Sequence, residues 1–171
     1  DDIPLELTVA AAQGAIPELQ GAYDGAETAE DWEIASDNLI DPLVRYSLAT
    51  KDSAEETYSV HRLVQRVVRD TMDAVDRRKW SERAVNILNS AFPYVDFTNW
   101  FLCARLTPHV LALQPSLQSA RIVSVDVARL FNQAASYLDS QNRLSEAEPL
   151  FKESLAIYRE VLPDKHPDIA S

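Results

Sequence analysis

The chain has 171 residues, 46% hydrophobic and 25% charged, with a net charge of −11. These proportions exclude a fibrous or wholly disordered chain. No apolar run approaches the roughly 18 residues that would span a bilayer. A short helix is expected to open at Ile3-Pro4-Leu5-Glu6-Leu7, with Leu5, Val9 and Ala12 on its buried face. The stretch from Gly14 to Thr28 holds all three glycines and reads mostly as loop. A second helix is expected from Glu30 to about Ile40, ended or kinked by Pro42. The period then changes to two. Val44, Tyr46 and Leu48 alternate with Arg45, Ser47 and Ala49, and Tyr58 and Val60 share one face, so Leu43–Val60 reads as a β-hairpin.

Helices fill the rest. Leu63, Val64, Val67, Val68 and Met72 form an apolar stripe opposite Arg62, Arg66 and Arg69. A helix from about Arg77 to Phe92 should point Trp80, Ala84, Ile87, Leu88 and Ala91 inward. Trp100 to Leu106 reads as a further short helix. Thr107-Pro108 reads as an N-cap and first-turn proline opening a new helical turn. Two helices close the chain, Asp126–Ser140 and Leu144–Val161. The first buries Leu130, Phe131, Ala134, Ala135 and Leu138, and Asn142 makes the turn. Ser145 and Glu148 have capping-box spacing for the second.

The charge is uneven: −12 over residues 1–60, +4 over 61–125 and −3 over 126–171. An acidic first third opposes nucleic-acid binding, which relies on Lys and Arg. The expected division is a module at 1–76, a helical linker at 77–125 and a helical hairpin at 126–171. The single cysteine, Cys103, fits a reducing compartment, and a cytoplasmic location is expected. A start at Asp1 without a leader reads as a segment of a longer protein with no signal peptide. Cys103 with His109 as base is a weak nucleophile pair, and a structural half-buried cysteine is the better reading. His109 and His166 lack the context of a metal site.

Two segments carry resemblances. Asn132-Gln133-Ala134-Ala135-Ser136-Tyr137-Leu138, followed by Glu146-Ala147-Glu148-Pro149-Leu150-Phe151, resembles a tetratricopeptide repeat of the kinesin-light-chain subtype. The segment Leu162-Pro163-Asp164-Lys165-His166-Pro167 resembles that subtype's ending. Small Ala135 and Ala147 let two helices approach closely, and Phe131 and Phe151 fill the seam. Ser154 and Leu144 depart from the pattern, where Ala and an aromatic are usual.

The segment Tyr58-Ser59-Val60-His61-Arg62-Leu63-Val64-Gln65 resembles the end of the winged-helix module of NB-ARC-type STAND ATPases. That resemblance implies that His61 senses the β-phosphate of ADP in a longer protein. Arg62 departs from it, standing where the motif usually has Asp. The Gly-rich phosphate loop and Mg-binding acid of that family have no counterpart in this chain.

The expected fold is therefore mainly α: an incomplete winged-helix module with one β-hairpin, a helical linker, then a tetratricopeptide hairpin. The expected function is a non-catalytic coupling and protein-interaction segment. It would bind no cofactor itself, with ADP or ATP held by the longer protein. Expected partners are an upstream nucleotide-binding domain, further repeats and a protein or peptide ligand, with no nucleic acid and no membrane. An array stopped after one repeat would leave Leu155, Tyr158 and Leu162 uncovered, a face for self-association. The alternative is an autonomous tetratricopeptide adaptor that binds peptides.

Overall fold

A computed structural model describes residues 2–16 and 25–162. Two compact units divide the chain, Asp1–Arg77 and Arg78–Ser171. The fold is mainly helical, as the periodicities require, with one small sheet in the first unit.

The first unit opens with β1 (Ile3–Pro4), not with a helix. Pro4 is extended, at φ −62° and ψ 141°, and a residue before proline is itself pushed toward extended geometry. Helix α1 therefore starts only at Leu5 and runs to Ala10, followed by a π-helical turn over Ala11–Ala15. α1 buries Thr8 and Ala10, and the turn after it buries Ala11 and Ala12, while Leu5 and Val9 are half-buried. Thr8 donates to the Tyr58 hydroxyl at 3.0 Å, which ties α1 to the sheet.

Helix α2 (Ala29–Arg45) is longer than its sequence signals imply. A capping box starts it: Asp31 N–H donates to Thr28 Oγ1, and Thr28 N–H donates to Asp31 Oδ2 at 2.8 Å. Pro42 does not end it. The missing N–H deprives only the carbonyl of exposed Asn38, which water can reach. The alternation of Val44, Tyr46 and Leu48 is thus no strand. It falls on the last helical turn and its reversal.

Ser47, at φ 56°, turns the chain there. Its N–H donates to Val44 O at 2.9 Å and the Leu48 N–H to Leu43 O at 2.8 Å, the Schellman pattern. Strands β2 (Ala49–Asp52) and β3 (Thr57–Val60) then form the hairpin, shorter than expected. β1 joins β3 antiparallel, Ile3 opposite Tyr58, making a three-stranded sheet in the order β1-β3-β2.

Helix α3 (Arg62–Thr71) buries none of its residues. Leu63 is 65% exposed and Val67 53%. The next helix, α4 (Ala74–Ala91), buries Ser81, Val85 and Leu88. Trp80, expected inward, is 42% exposed beneath the Arg83 guanidinium.

In the second unit α5 is one continuous helix, Trp100–Ala120, and no second helix starts at Thr107. Thr107 does not cap. Its hydroxyl donates to Cys103 O at 2.7 Å within the helix. Pro108 and Pro115 are both exposed, on the outer side where a helix tolerates bending. The core holds Leu106, Val110, Leu117, Val127, Leu130, Phe131, Leu138 and Leu150.

α6 (Val125–Ser140) and α7 (Leu144–Val161) pair as an antiparallel hairpin. Ser124 caps α6, and Asn142 makes the turn at φ 60°. Ser145 and Glu148 form no capping box at α7. Arg143 and Glu146 pair there instead, at 2.7 Å, and Glu148 reaches Lys152.

Candidate functional site

Two places carry the sequence-level claims: the corner between β3 and α3, and the α6–α7 hairpin.

The corner is held from three sides. His61 N–H donates to Leu48 O at 2.8 Å, which anchors the start of α3 to the end of the Schellman turn. The Gln65 side-chain amide donates to Val60 O at 2.8 Å. Gln65 N–H donates to His61 O at 3.1 Å. His61 itself is the N-cap residue, and its Nδ1 accepts from the Leu63 N–H at 3.3 Å.

That bond assigns the ring's tautomer. With Nδ1 accepting, the proton of the neutral ring sits on Nε2. His61 is exposed, so Nε2–H can donate to a ligand oxygen. A concavity of about 330 Å³ opens at this corner, lined by Ser47, Ala49, Thr50, Ser59, Val60, His61 and Arg62. Sequence reasoning singled out His61 but missed Ser47 and Thr50. The hydrophobic pair Leu43 and Leu48, at the spacing of the motif's apolar contact, was the available signal for a Schellman end with Ser47 at its left-handed position.

The repeat hairpin is built on small residues. Ala128, Ala134, Ala135 and Ala147 are all buried, which lets α6 and α7 approach closely. Phe131 is 1% exposed, whereas Phe151 is half-buried, so Phe131 is the better-buried of the two. Ser154 is more than a tolerated substitute for Ala. Its hydroxyl donates to Ala128 O at 2.7 Å across the buried seam.

The C-terminal face is less open than expected: Tyr158 is buried, and Leu155 and Leu162 are half-buried. Residues 163–171, with His166 and the repeat-ending segment, lie outside the described residues. From Arg78 onward α4 belongs to this same unit, and so does α5. Asn89 on α4 donates to Asp126 O at 2.8 Å and accepts from Arg129 at 2.8 Å, and Arg78 donates to Ala120 O at 3.3 Å.

Cys103 is fully buried, with its thiol donating to Asn99 Oδ1 at 3.5 Å. Burial pushes that thiol up, away from the reactive thiolate. Among the described residues no group of three His, Cys, Asp or Glu could hold a metal ion. None of the described helices is long and apolar enough to cross a membrane.

Residues 127–168 match the family model of a tetratricopeptide repeat. The match takes in α6 from Val127 and all of α7. Residues 14–77 match a domain of unknown function, DUF7779, which takes in α2, the hairpin and α3. No curated protein and no solved structure matches the chain.

Proposed function

We propose that the chain is a non-catalytic coupling and protein-interaction segment of a larger signalling switch of the STAND ATPase type. The observation that carries the interaction role is the tetratricopeptide hairpin, matched over residues 127–168. Such repeats stack into extended surfaces that take protein or peptide partners. The switch half rests on the likeness of Val60-His61-Arg62 to the nucleotide-sensing motif. An exposed corner whose histidine keeps Nε2–H for a ligand is compatible with it.

The chain itself has three glycines, all near its start, so a Gly-rich phosphate loop would come from elsewhere in the longer protein. ADP and ATP would be held there, together with the Mg-binding acid. His61 would add one hydrogen bond to a phosphate oxygen. By itself that contact gives an ADP dissociation constant weaker than about 1 mM for residues 1–171.

The test is ADP affinity of the longer protein, measured by calorimetry for His61→Asp. Asp keeps an N-cap acceptor for Leu63, so α3 retains its start. It also sets a negative charge against the phosphate. Loss of the histidine's bond to a charged acceptor alone should weaken ADP by about 10- to 150-fold. Unchanged affinity would leave His61 as a capping residue. An unsubstituted longer protein that binds no ADP would leave an autonomous tetratricopeptide adaptor as the surviving reading.

A further inference from the structure

Helix α3 lacks what normally keeps a short helix folded. It has 10 residues, fewer than the roughly 12–15 that an isolated helix needs to persist in water. Val64, Val67, Val68 and Thr71 are β-branched, which disfavours the helix further. Packing would make good that deficit, yet α3 buries none of its residues, and Leu63, Val67 and Val68 are all exposed.

The exposed face is ordered. Leu63, Val67 and Thr71 recur at helical spacing and fall on one line along the helix. Val64 and Val68 run along one flank of that line, and Arg66 and Asp70 along the other. Arg66 and Asp70 pair with each other at 3.6 Å, with side chains 80% and 71% exposed. So exposed a pair contributes little by itself, and both charges are open to another molecule.

We propose that this face docks the same face of a second copy, with the two α3 helices antiparallel about a twofold axis at Val67. Charge decides both the occupant and its direction. In an antiparallel pair each flank meets the same flank of the other helix. Arg66 then faces Asp70 of the second copy, and Asp70 faces its Arg66, so the surface is its own complement. Val67 packs on Val67, and Leu63 packs on Thr71. A parallel pair would set the charged flank against Val64 and Val68 instead. The contact is small. A helix of 10 residues is about 15 Å long, and two of them bury about 600 Å², half or less of a stable interface. The dimer is therefore weak, with a dissociation constant of about 0.3 mM, and the chain is monomeric at the micromolar concentrations of an unfolding experiment.

The experiment is sedimentation equilibrium of residues 1–171 up to about 2 mM, with amide shifts of a labelled sample over the same range. Sodium chloride at about 0.15 M screens the net charge of −11 on each copy. A dimer should form, and the amides of Leu63, Val67 and Thr71 should move with concentration. Val67→Asp should remove the dimer over the whole range. Arg66→Asp and Asp70→Arg each set like charges together, and each should weaken self-association about 10-fold. Mixed in equal amounts, these two variants should pair with each other about as well as the unsubstituted chain pairs with itself. One copy then carries two acids on its flank and the other two bases.

A monomer at about 2 mM would overturn the proposal and leave α3 to be covered by another part of a longer protein. Self-association indifferent to Val67→Asp would place the contact on a different face and overturn it as well. So would charge variants that stay apart when mixed.

Discussion

Helices α3 and α6 are both amphipathic, and the structure treats them in opposite ways. α6 buries nine residues, among them Val127, Leu130, Phe131 and Leu138. α3 carries an apolar stripe at the same helical spacing and buries nothing. Periodicity reports which face of a helix is apolar; it does not report whether this chain provides something to cover that face. α6 has its partner 4 residues away in sequence, across a short turn, and its alanines let α7 come close. α3 leaves a rigid corner and finds no such neighbour among the described residues. Burial in the repeat is therefore local and self-sufficient, while the corner is built to hold a shape.

The largest effect should come from breaking the well-covered side of this contrast. Phe131→Ala should lower the stability of the second unit by about 3–5 kcal/mol, because a fully buried ring leaves a cavity in the seam. Phe151→Ala should cost roughly half as much, about 2 kcal/mol, since that ring is only half-buried. Chemical denaturation of the two variants side by side checks the ranking. Equal losses would mean that the two rings share the seam equally, as the sequence pattern alone implies.

Ser154→Ala sharpens the same region at a finer scale. It restores the residue that the repeat pattern prefers, yet it removes the buried bond to Ala128 O. A loss of about 1 kcal/mol is expected by denaturant titration. A gain in stability would mean that the pattern's preference outweighs the bond.

These contrasts also mark what the sequence makes legible. The repeat hairpin is readable almost residue by residue, because small and large residues at fixed offsets admit one packing. Asn142 as the turn, and Leu130, Phe131 and Leu138 as core, follow from spacing alone. The prolines misled. Pro42 read as ending or kinking its helix and Pro108 as opening a new one, but each sits in an exposed part of a continuing helix, where losing one hydrogen bond is tolerable. The alternation from Val44 to Leu48 misled for another reason. A period of two over five residues also fits the last turn of a helix and its reversal, and only the positive φ of Ser47 separates the two. In the corner, His61 was legible from its neighbours in sequence. Ser47 and Thr50 were not, because the fold alone brings them beside it.

On the uncovered side, Val67→Asp in α3 should change the stability of the first unit by no more than about 0.5 kcal/mol, since an exposed valine leaves no cavity. Thermal unfolding of the single variant checks this. A loss above about 2 kcal/mol would show that the stripe is covered within the chain itself, and the contrast between α3 and α6 would collapse.

The effect of opposite sign belongs to Ser36. It lies on α2, fully buried, and its hydroxyl has no hydrogen-bond partner among the described residues. A buried hydroxyl without a partner carries its desolvation cost with nothing to offset it. Alanine removes that oxygen, keeps the backbone and favours the helix. Ser36→Ala should therefore leave the first unit unchanged or raise its stability by up to about 1 kcal/mol. Ser154→Ala is the same chemical change on a helix at equal burial, and it should go the other way. The difference lies only in whether the oxygen has a partner. If both variants lost stability alike, Ser36 would be bonded too, and the first unit would be as fully satisfied inside as the repeat.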